Sequence, residues 1–319
     1  MVIGEGEQTI KDLIKIDFNI DDNDIKKIKG IGLKQNGEVI ITENREPLKT
    51  PLELVSISPL YKTNLEQIRE FYIQTQNKLN RGWDIAATRG CYGECVFCKK
   101  IFSKPIRSFS PEYIIEKIKY IKKNYNIDRF NFLDENFATN NTFFKSFLRI
   151  LDDENINIKW GLRSRLDNIP ANYLDKMMKL GLYRIMVGVE SGSQANLNYY
   201  KKNIVIDKYK PILRDLSERR LLYASFVIGS EIETKETIRE NIDLIKYIKL
   251  DKKSFVVCFL SVIPGTQLFE NLYQRGLIQD KYNYIDNFIG NFLNLEWNIT
   301  KMTDDQLYKS KEKMLQACN

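Results

Sequence analysis

From Trp83 onward, short continuous apolar runs alternate with longer stretches whose apolar residues recur at helical spacing. Six runs read as strands: Trp83–Thr88, Arg129–Leu133, Lys159–Arg163, Tyr183–Val189, Tyr223–Ile228 and Ser254–Val262. Between them, Ile114, Ile118 and Ile121 share one face of a segment that starts at Ser110-Pro111. Ile238, Ile242 and Ile245 do the same in a segment that starts near Lys235, as amphipathic helices require. Ser110 offers a capping hydroxyl and Pro111 the fixed φ of a first helical residue, so that helix start is specified locally. Continuous apolar strands, each followed by a helix, imply a parallel sheet covered by helices. Periodicity leaves open whether the sheet closes partly into a barrel or lies open and doubly wound.

Residues 1–80 follow a different pattern. A short helix around Thr9–Ile16 is followed by two apolar runs joined through Gln35-Asn36-Gly37-Glu38. Asn-Gly between such runs is a strong two-residue hairpin signal. This is too little for an independent core. Residues 1–80 therefore read as an appendage, residues 81–280 as the main unit and residues 281–319 as a helical C-terminal extension.

Composition narrows the class. With 43% hydrophobic and 29% charged residues over 319 positions, wholesale disorder is ruled out and a sizeable core needs no disulfide staples. The longest apolar run, around Phe255–Ile263, is strand-sized, far short of a membrane span. The first residues read as neither a signal nor a transit peptide, so the expected compartment is the cytoplasm. The net charge of +7 is spread along the chain without a basic block, which reads as a solvated surface rather than a nucleic-acid face. Histidine is absent. That excludes an imidazole base, a Ser-His triad and a His-rich metal site.

Of the five cysteines, Cys91, Cys95 and Cys98 fall within eight residues, while Cys258 and Cys318 stand far off. An odd, clustered count argues for a metal site rather than a disulfide framework. Three thiolates match a cubane iron–sulfur cluster that leaves one iron without a protein ligand. The alternative is structural zinc, which wants four ligands, usually Cys or His.

The run Cys91-Tyr92-Gly93-Glu94-Cys95-Val96-Phe97-Cys98, with Gly93 to permit a backbone reversal and an aromatic before its last cysteine, follows a strand and precedes the β-α units. It resembles the signature of the radical S-adenosylmethionine (radical SAM) superfamily, and the resemblance covers about Trp83–Phe269. The implied fold is α/β, a partial (β/α)6 radical SAM barrel, with active groups at the C-terminal strand ends. The implied cofactors are a [4Fe–4S] cluster on Cys91, Cys95 and Cys98 and S-adenosylmethionine chelated by its open iron. In this family the reduced cluster cleaves the sulfonium to methionine and a 5′-deoxyadenosyl radical, which abstracts a hydrogen atom from substrate.

The same resemblance implies further cofactor contacts. Phe97 would lie beside the cofactor, and Asp134, Glu135 and Asn136 occupy the place of a Gly-Gly-Glu motif that binds the amino group of S-adenosylmethionine. Asp134-Glu135-Asn136 also reads as a helix cap. Arg165 could hold a carboxylate bidentately or pair with a neighbouring acid. Glu190 and Ser191, in Gly188-Val189-Glu190-Ser191-Gly192-Ser193, would sit near the ribose hydroxyls. Lys202 matches a cation near the ligand carboxylate or is an ordinary surface lysine, and Ile228 ends the strand whose backbone holds adenine. Pro264-Gly265-Thr266 reads as a structural turn.

Gly4-Glu5-Gly6-Glu7 and the hairpin resemble the tail that joins a cobalamin-binding domain, most of which is expected to be missing here, to a radical domain. The domain has eroded, is supplied by a second polypeptide, or has been lost by truncation. Because residues 1–80 offer only the joining tail and one hairpin, too little to enclose a macrocycle, this polypeptide is expected not to bind cobalamin by itself. The resemblance implies a small-molecule or peptide substrate and a reducing partner such as flavodoxin or ferredoxin, without membrane or nucleic acid. Alternatives are a cobalamin-partnered methyl or ring-forming enzyme with the corrinoid in trans, and a non-catalytic, cluster-bearing partner or electron carrier. A tRNA methylthiotransferase is disfavoured, because those relatives carry a second three-cysteine cluster and only Cys258 and Cys318 are spare.

Overall fold

In a computed structural model, residues 1–18, 23–35, 38–48, 70, 82–100, 102, 105–288 and 292–318 are described. Helix α1 (Glu7–Lys15) sets Leu13 beside a small core of Ile25, Ile28 and Ile31. Strands β1 (Gly32–Gln35) and β2 (Glu38–Ile41) pair antiparallel with Gln35 opposite Glu38. That register is the one a two-residue turn sets; Asn36 and Gly37 themselves lie outside the described residues.

Strand β3 (Trp83–Ile85) opens the main unit, and β4 (Thr88–Arg89) pairs antiparallel with β5 (Arg107–Ser108). Then come α2 (Pro111–Tyr125), β6 (Arg129–Phe132), α3 (Asn141–Asp153), β7 (Lys159–Arg165) and α4 (Leu174–Lys179). Next follow β8 (Leu182–Glu190), α5 (Gln194–Tyr199), α6 (Ile206–Glu218), β9 (Leu222–Ile228) and α7 (Lys235–Ile248). The chain ends with β10 (Phe255–Phe259), α8 (Gln267–Gln274), α9 (Lys281–Phe288) and α10 (Asp304–Gln316).

The principal sheet has six parallel strands in the order β10-β9-β8-β7-β6-β3, so its strands lie side by side in chain order. Each connection is a β-α-β crossover, which puts the C-terminal ends of all six strands on one rim. This is the architecture of a partial α/β barrel. The expected helix starts are present: Ser110 Oγ accepts the Tyr113 N–H at 3.2 Å, and Ile114, Ile118 and Ile121 are fully buried. Leu307 and Met314 of α10 lie in the same hydrophobic cluster as the sheet. Beneath the rim, Phe137 sits among Phe132, Phe143, Phe147 and Trp160, with ring centroids 4.4–6.1 Å away.

Four strands differ in extent from the apolar pattern. The first expected strand is broken, because the Asp134 carboxylate takes the N–H groups of Ala87 (3.1 Å) and Thr88 away from the ladder. Strands β7 and β8 run on to Arg165 and Glu190, whose charges end the apolar run before the backbone ends the strand. Strand β10 stops at Phe259, short of Val262. Among the described residues, no helix is long and apolar enough to cross a membrane.

Candidate functional site

A cavity of about 780 Å³, its open mouth included, lies at the C-terminal rim of the sheet. Every strand from β6 to β9, or the loop after it, contributes lining residues, and the cysteine loop after β4 closes one side. Cys91, Cys95 and Cys98 all line it, together with Phe97 and Lys100. The loop is stitched to two later elements. Val96 donates its N–H to the Tyr200 carbonyl (3.1 Å) and accepts the Leu268 N–H (2.9 Å). Phe97 meets the Tyr200 ring edge-on at 5.1 Å, and Lys99 Nζ donates to the Gly265 carbonyl at 3.4 Å.

Gly93 corrects one expectation: its φ lies outside the left-handed region, so glycine is not needed there for a reversal. It is needed for space, since a Cβ would lie 2.3 Å from Arg165 Nη1. Among the described residues, no three Cys, Asp or Glu side chains converge on one metal ion. The three thiols line one cavity with no fourth cysteine beside them among the described residues, which fits a cluster that leaves one iron without a protein ligand better than four-coordinate structural zinc. Burial, then the charges of Cys95, Glu135, Cys91 and Glu190, push the free Cys98 thiol up to about 11. Loading iron must therefore release a proton there. Cys258, on β10, and Cys318, whose thiol donates to the Leu315 carbonyl at 3.0 Å, do not line the cavity.

In the same cavity, Lys202 Nζ donates to Glu190 Oε1 at 2.8 Å, with the two side chains 4% and 11% exposed. The surface-lysine reading of Lys202 is thereby overturned. Glu190 sits at φ +66°, where the β8–β9 register shifts between Gly188 and Glu190. A non-glycine residue held there is strained, by about 1–3 kcal/mol. The bulge swings its carboxylate back over Gly188, where a Cβ would lie 2.4 Å from Glu190 Oε1.

The Arg165 guanidinium is fully engaged within the protein. It donates to both carboxylate oxygens of Asp167 (2.9 and 3.0 Å), to the Lys202 carbonyl (2.8 Å) and to Cys95 Sγ (3.4 Å). Of its two expected uses, pairing with a neighbouring acid is the one these contacts describe. Arg163 and Lys100 also line the cavity and, among the described residues, form no ion pair. They leave two cations for an incoming anionic group.

The remaining sequence candidates separate. Glu135 lines the cavity, but Asp134 faces inward, where its Oδ1 accepts from Ala87 N, Thr88 N and, at 2.6 Å, Thr88 Oγ1. Burial pushes its carboxyl up to about 6 even so. Asn136 is buried, with Oδ1 accepting from Arg165 N (3.2 Å) and Asn168 Nδ2 (2.9 Å), so it braces the tip of β7. Asn140, not Asp134 or Asn136, caps α3, accepting from Phe143 N at 3.1 Å. Ser191 donates to Asn241 Oδ1 at 2.9 Å, away from the cavity lining. The Ile228 carbonyl accepts the Leu260 N–H at 2.8 Å, and its side chain is buried.

Two supports were not singled out from the sequence. Tyr200 is fully buried and carries the carbonyl that holds Val96. Glu233, also buried, accepts from Asn196 Nδ2 and Gly229 N, both at 2.9 Å, and so ties α5 to the end of β9. In sequence Tyr200 looks like any core aromatic and Glu233 like an acid before a helix.

The sequence profile of the Radical SAM superfamily matches residues 85–245. An uncharacterized methyltransferase of Pyrococcus horikoshii is 27% identical over 298 residues, which are 90% of this chain and 61% of that protein. The anaerobic magnesium-protoporphyrin IX monomethyl ester cyclase of Rubrivivax gelatinosus is 26% identical over 293 residues, 89% of this chain and 51% of that protein. The chain thus spans about half to three-fifths of the length of these relatives. Among solved structures, the fold resembles the radical S-adenosylmethionine methyltransferase TsrM from Kitasatospora setae, solved with cobalamin and a [4Fe-4S] cluster bound. The TM-score is 0.69 at 16% identity, covering 86% of this chain and 55% of that one. The cobalamin-dependent S-adenosylmethionine radical enzyme OxsB aligns over 99% of this chain and 45% of its own, at a TM-score of 0.60 and 19% identity. With the profile spanning the cysteine loop and the strands around it, this chain is a member of the radical SAM superfamily, enzymes that use a [4Fe–4S] cluster and S-adenosylmethionine.

Proposed function

We propose that this chain holds a [4Fe–4S] cluster on Cys91, Cys95 and Cys98 and directs a hydrogen-atom abstraction at a small metabolite, peptide or natural product in the adjoining cavity. The observation that carries this is the convergence of the three cysteines, Glu135 and the buried Glu190–Lys202 pair on one cavity. When bound, the cluster and S-adenosylmethionine supply the electron and the sulfonium from which the abstracting 5′-deoxyadenosyl radical comes. The chain's own residues bind and shield. Glu135 offers carboxylate oxygens to an ammonium, Glu190 offers them to hydroxyls, and the uncommitted Arg163 and Lys100 offer cations to a carboxylate or another anionic group. Val96 and Tyr200 wall the thiols off from one side. A low-potential protein such as flavodoxin or ferredoxin would be the electron donor, and a reducing cytoplasm suits the free thiols.

Anaerobic incubation of the reconstituted chain with S-adenosylmethionine and dithionite should yield 5′-deoxyadenosine, and Cys95→Ala should abolish it. If the wild type yields none, the carrier or partner-subunit alternative takes its place. A second reading, methyl transfer or ring formation with a corrinoid supplied in trans, is supported by the methyltransferase and cyclase names of the relatives. Under it, the isolated chain fails to retain hydroxocobalamin in equilibrium dialysis. Stoichiometric retention at micromolar concentration would mean that this chain houses the corrinoid itself.

A further inference from the structure

We infer that Arg165 is a positioning residue that sets the reduction potential of the cluster from outside its ligand set, by a guanidinium N–H held against the sulfur of Cys95. The inference rests on the cluster reading above. Nη1 lies 3.4 Å from Cys95 Sγ, within hydrogen-bonding range for sulfur. The other donors are fixed elsewhere: Nε and Nη2 on Asp167, and Nη2 also on the Lys202 carbonyl at 2.8 Å. The guanidinium carbon also stands 5.0 Å from the centre of the Tyr92 ring. Three separate pieces of chain therefore hold one planar group, on a side chain that is 7% exposed.

Gly93 supplies the independent observation. Its φ requires no glycine, yet a methyl there would collide with Nη1 at 2.3 Å. The cysteine loop thus leaves a space the width of one side chain, and the guanidinium fills it. Reduction adds negative charge to the cluster and its sulfurs. An N–H donor on a ligating sulfur stabilises that added charge and raises the potential. Asp167 sits on the far side of the guanidinium and partly cancels its charge, so the two residues should push the potential in opposite directions.

The test is the midpoint potential of the reconstituted full-length chain, followed by electron paramagnetic resonance during a dithionite titration without S-adenosylmethionine. Iron and sulfide are counted first, and about four of each establish the cluster. Arg165→Gln removes the charged guanidinium and leaves a shorter amide whose N–H falls short of Cys95, and Gly93→Ala displaces the guanidinium while leaving it in the chain. Both should shift the midpoint negative, by about 59 mV if the reduced form becomes tenfold harder to reach. Asp167→Asn should shift it positive. Opposite signs are what a merely structural role would not produce. An unchanged midpoint in Arg165→Gln with iron retained overturns the inference, as does a negative shift in Asp167→Asn. Should Arg165→Gln lose its iron, Gly93→Ala decides, and an unchanged midpoint there overturns it equally. A wild-type chain without about four irons refutes the cluster reading, and the inference falls with it; an intact cluster with an unmoved potential refutes the inference alone.

Discussion

Lys202→Met tests whether the buried ion pair in the cavity wall holds the fold as well as the ligand. Methionine keeps most of the volume of lysine but leaves the Glu190 carboxylate without the ammonium that donates to it at 2.8 Å. At an effective dielectric of about 20, two unit charges at such a distance attract by about 6 kcal/mol, much of which is offset by desolvation. Removing one partner strands the other, so the expected loss is about 3–5 kcal/mol. For a chain of this length, whose unfolding entropy is about 2.1 cal/mol/K per residue, that lowers the melting temperature by about 5–7 °C. Glu190→Gln should lose less, about 1–3 kcal/mol, because the amide oxygen still accepts from the ammonium. The double variant should recover at least half of the Lys202→Met loss. That non-additivity, read from circular-dichroism melts of the three variants at neutral pH, isolates the pair. A Lys202→Met chain melting within about 1 °C of the wild type would refute the reasoning, as would strictly additive losses.

Three further outcomes are expected. Burial holds the Asp134 carboxyl near 6, above its ordinary 3.8. The folded chain therefore keeps a proton that the unfolded chain releases, and stability falls by about 3 kcal/mol as pH rises from about 4 to 6. Urea titrations across that range should show the slope in the wild type and lose it in Asp134→Asn; a slope that survives the substitution argues against the assignment. Phe137→Ala should cost about 3–5 kcal/mol, because the ring is fully buried among Phe132, Phe143, Phe147 and Trp160. A urea midpoint unchanged from the wild type would contradict that. Cys95→Ser should lower bound iron after reconstitution while Cys258→Ser leaves it unchanged, since Cys258 does not line the cavity; equal losses would point to a ligand set that includes Cys258.

The parts of the site that were legible in sequence are those written locally. Cys91, Cys95 and Cys98 lie within one short loop, and their spacing alone announces a metal centre. The strands and the start of α2 were readable because apolar runs and Ser110-Pro111 determine them without long-range help. What escaped notice depends on tertiary partners. No local feature distinguishes Lys202 from its many exposed neighbours until the bulge at Glu190 brings a carboxylate to it. Asp134 reads as a ligand or a cap, yet the folded chain commits it to the backbone of Ala87 and Thr88, 47 and 46 residues away. The apolar runs end before Arg165 and Glu190 because a polar tip breaks the pattern, although the backbone ladder continues through both.

The strands stand in the sheet in the order in which they occur in the chain, and the loop after the first rests against the turn after the last, through Val96 with Leu268 and Lys99 with Gly265. Sequence position therefore doubles as angular position around the mouth, like hours on a dial whose first and last marks touch. Each strand-to-helix loop governs its own sector, and the cysteine loop reaches across, to Arg165 at the end of β7 and Tyr200 after β8 as well as to Leu268 after β10. A loop that does not touch the cysteine loop can change its length or chemistry within its own sector, while a change at the clasp of Val96 and Leu268 is passed through the cysteine loop to every sector that loop meets. Variation among relatives that share this sheet should therefore accumulate sector by sector in the middle strands and be scarcest where the dial closes.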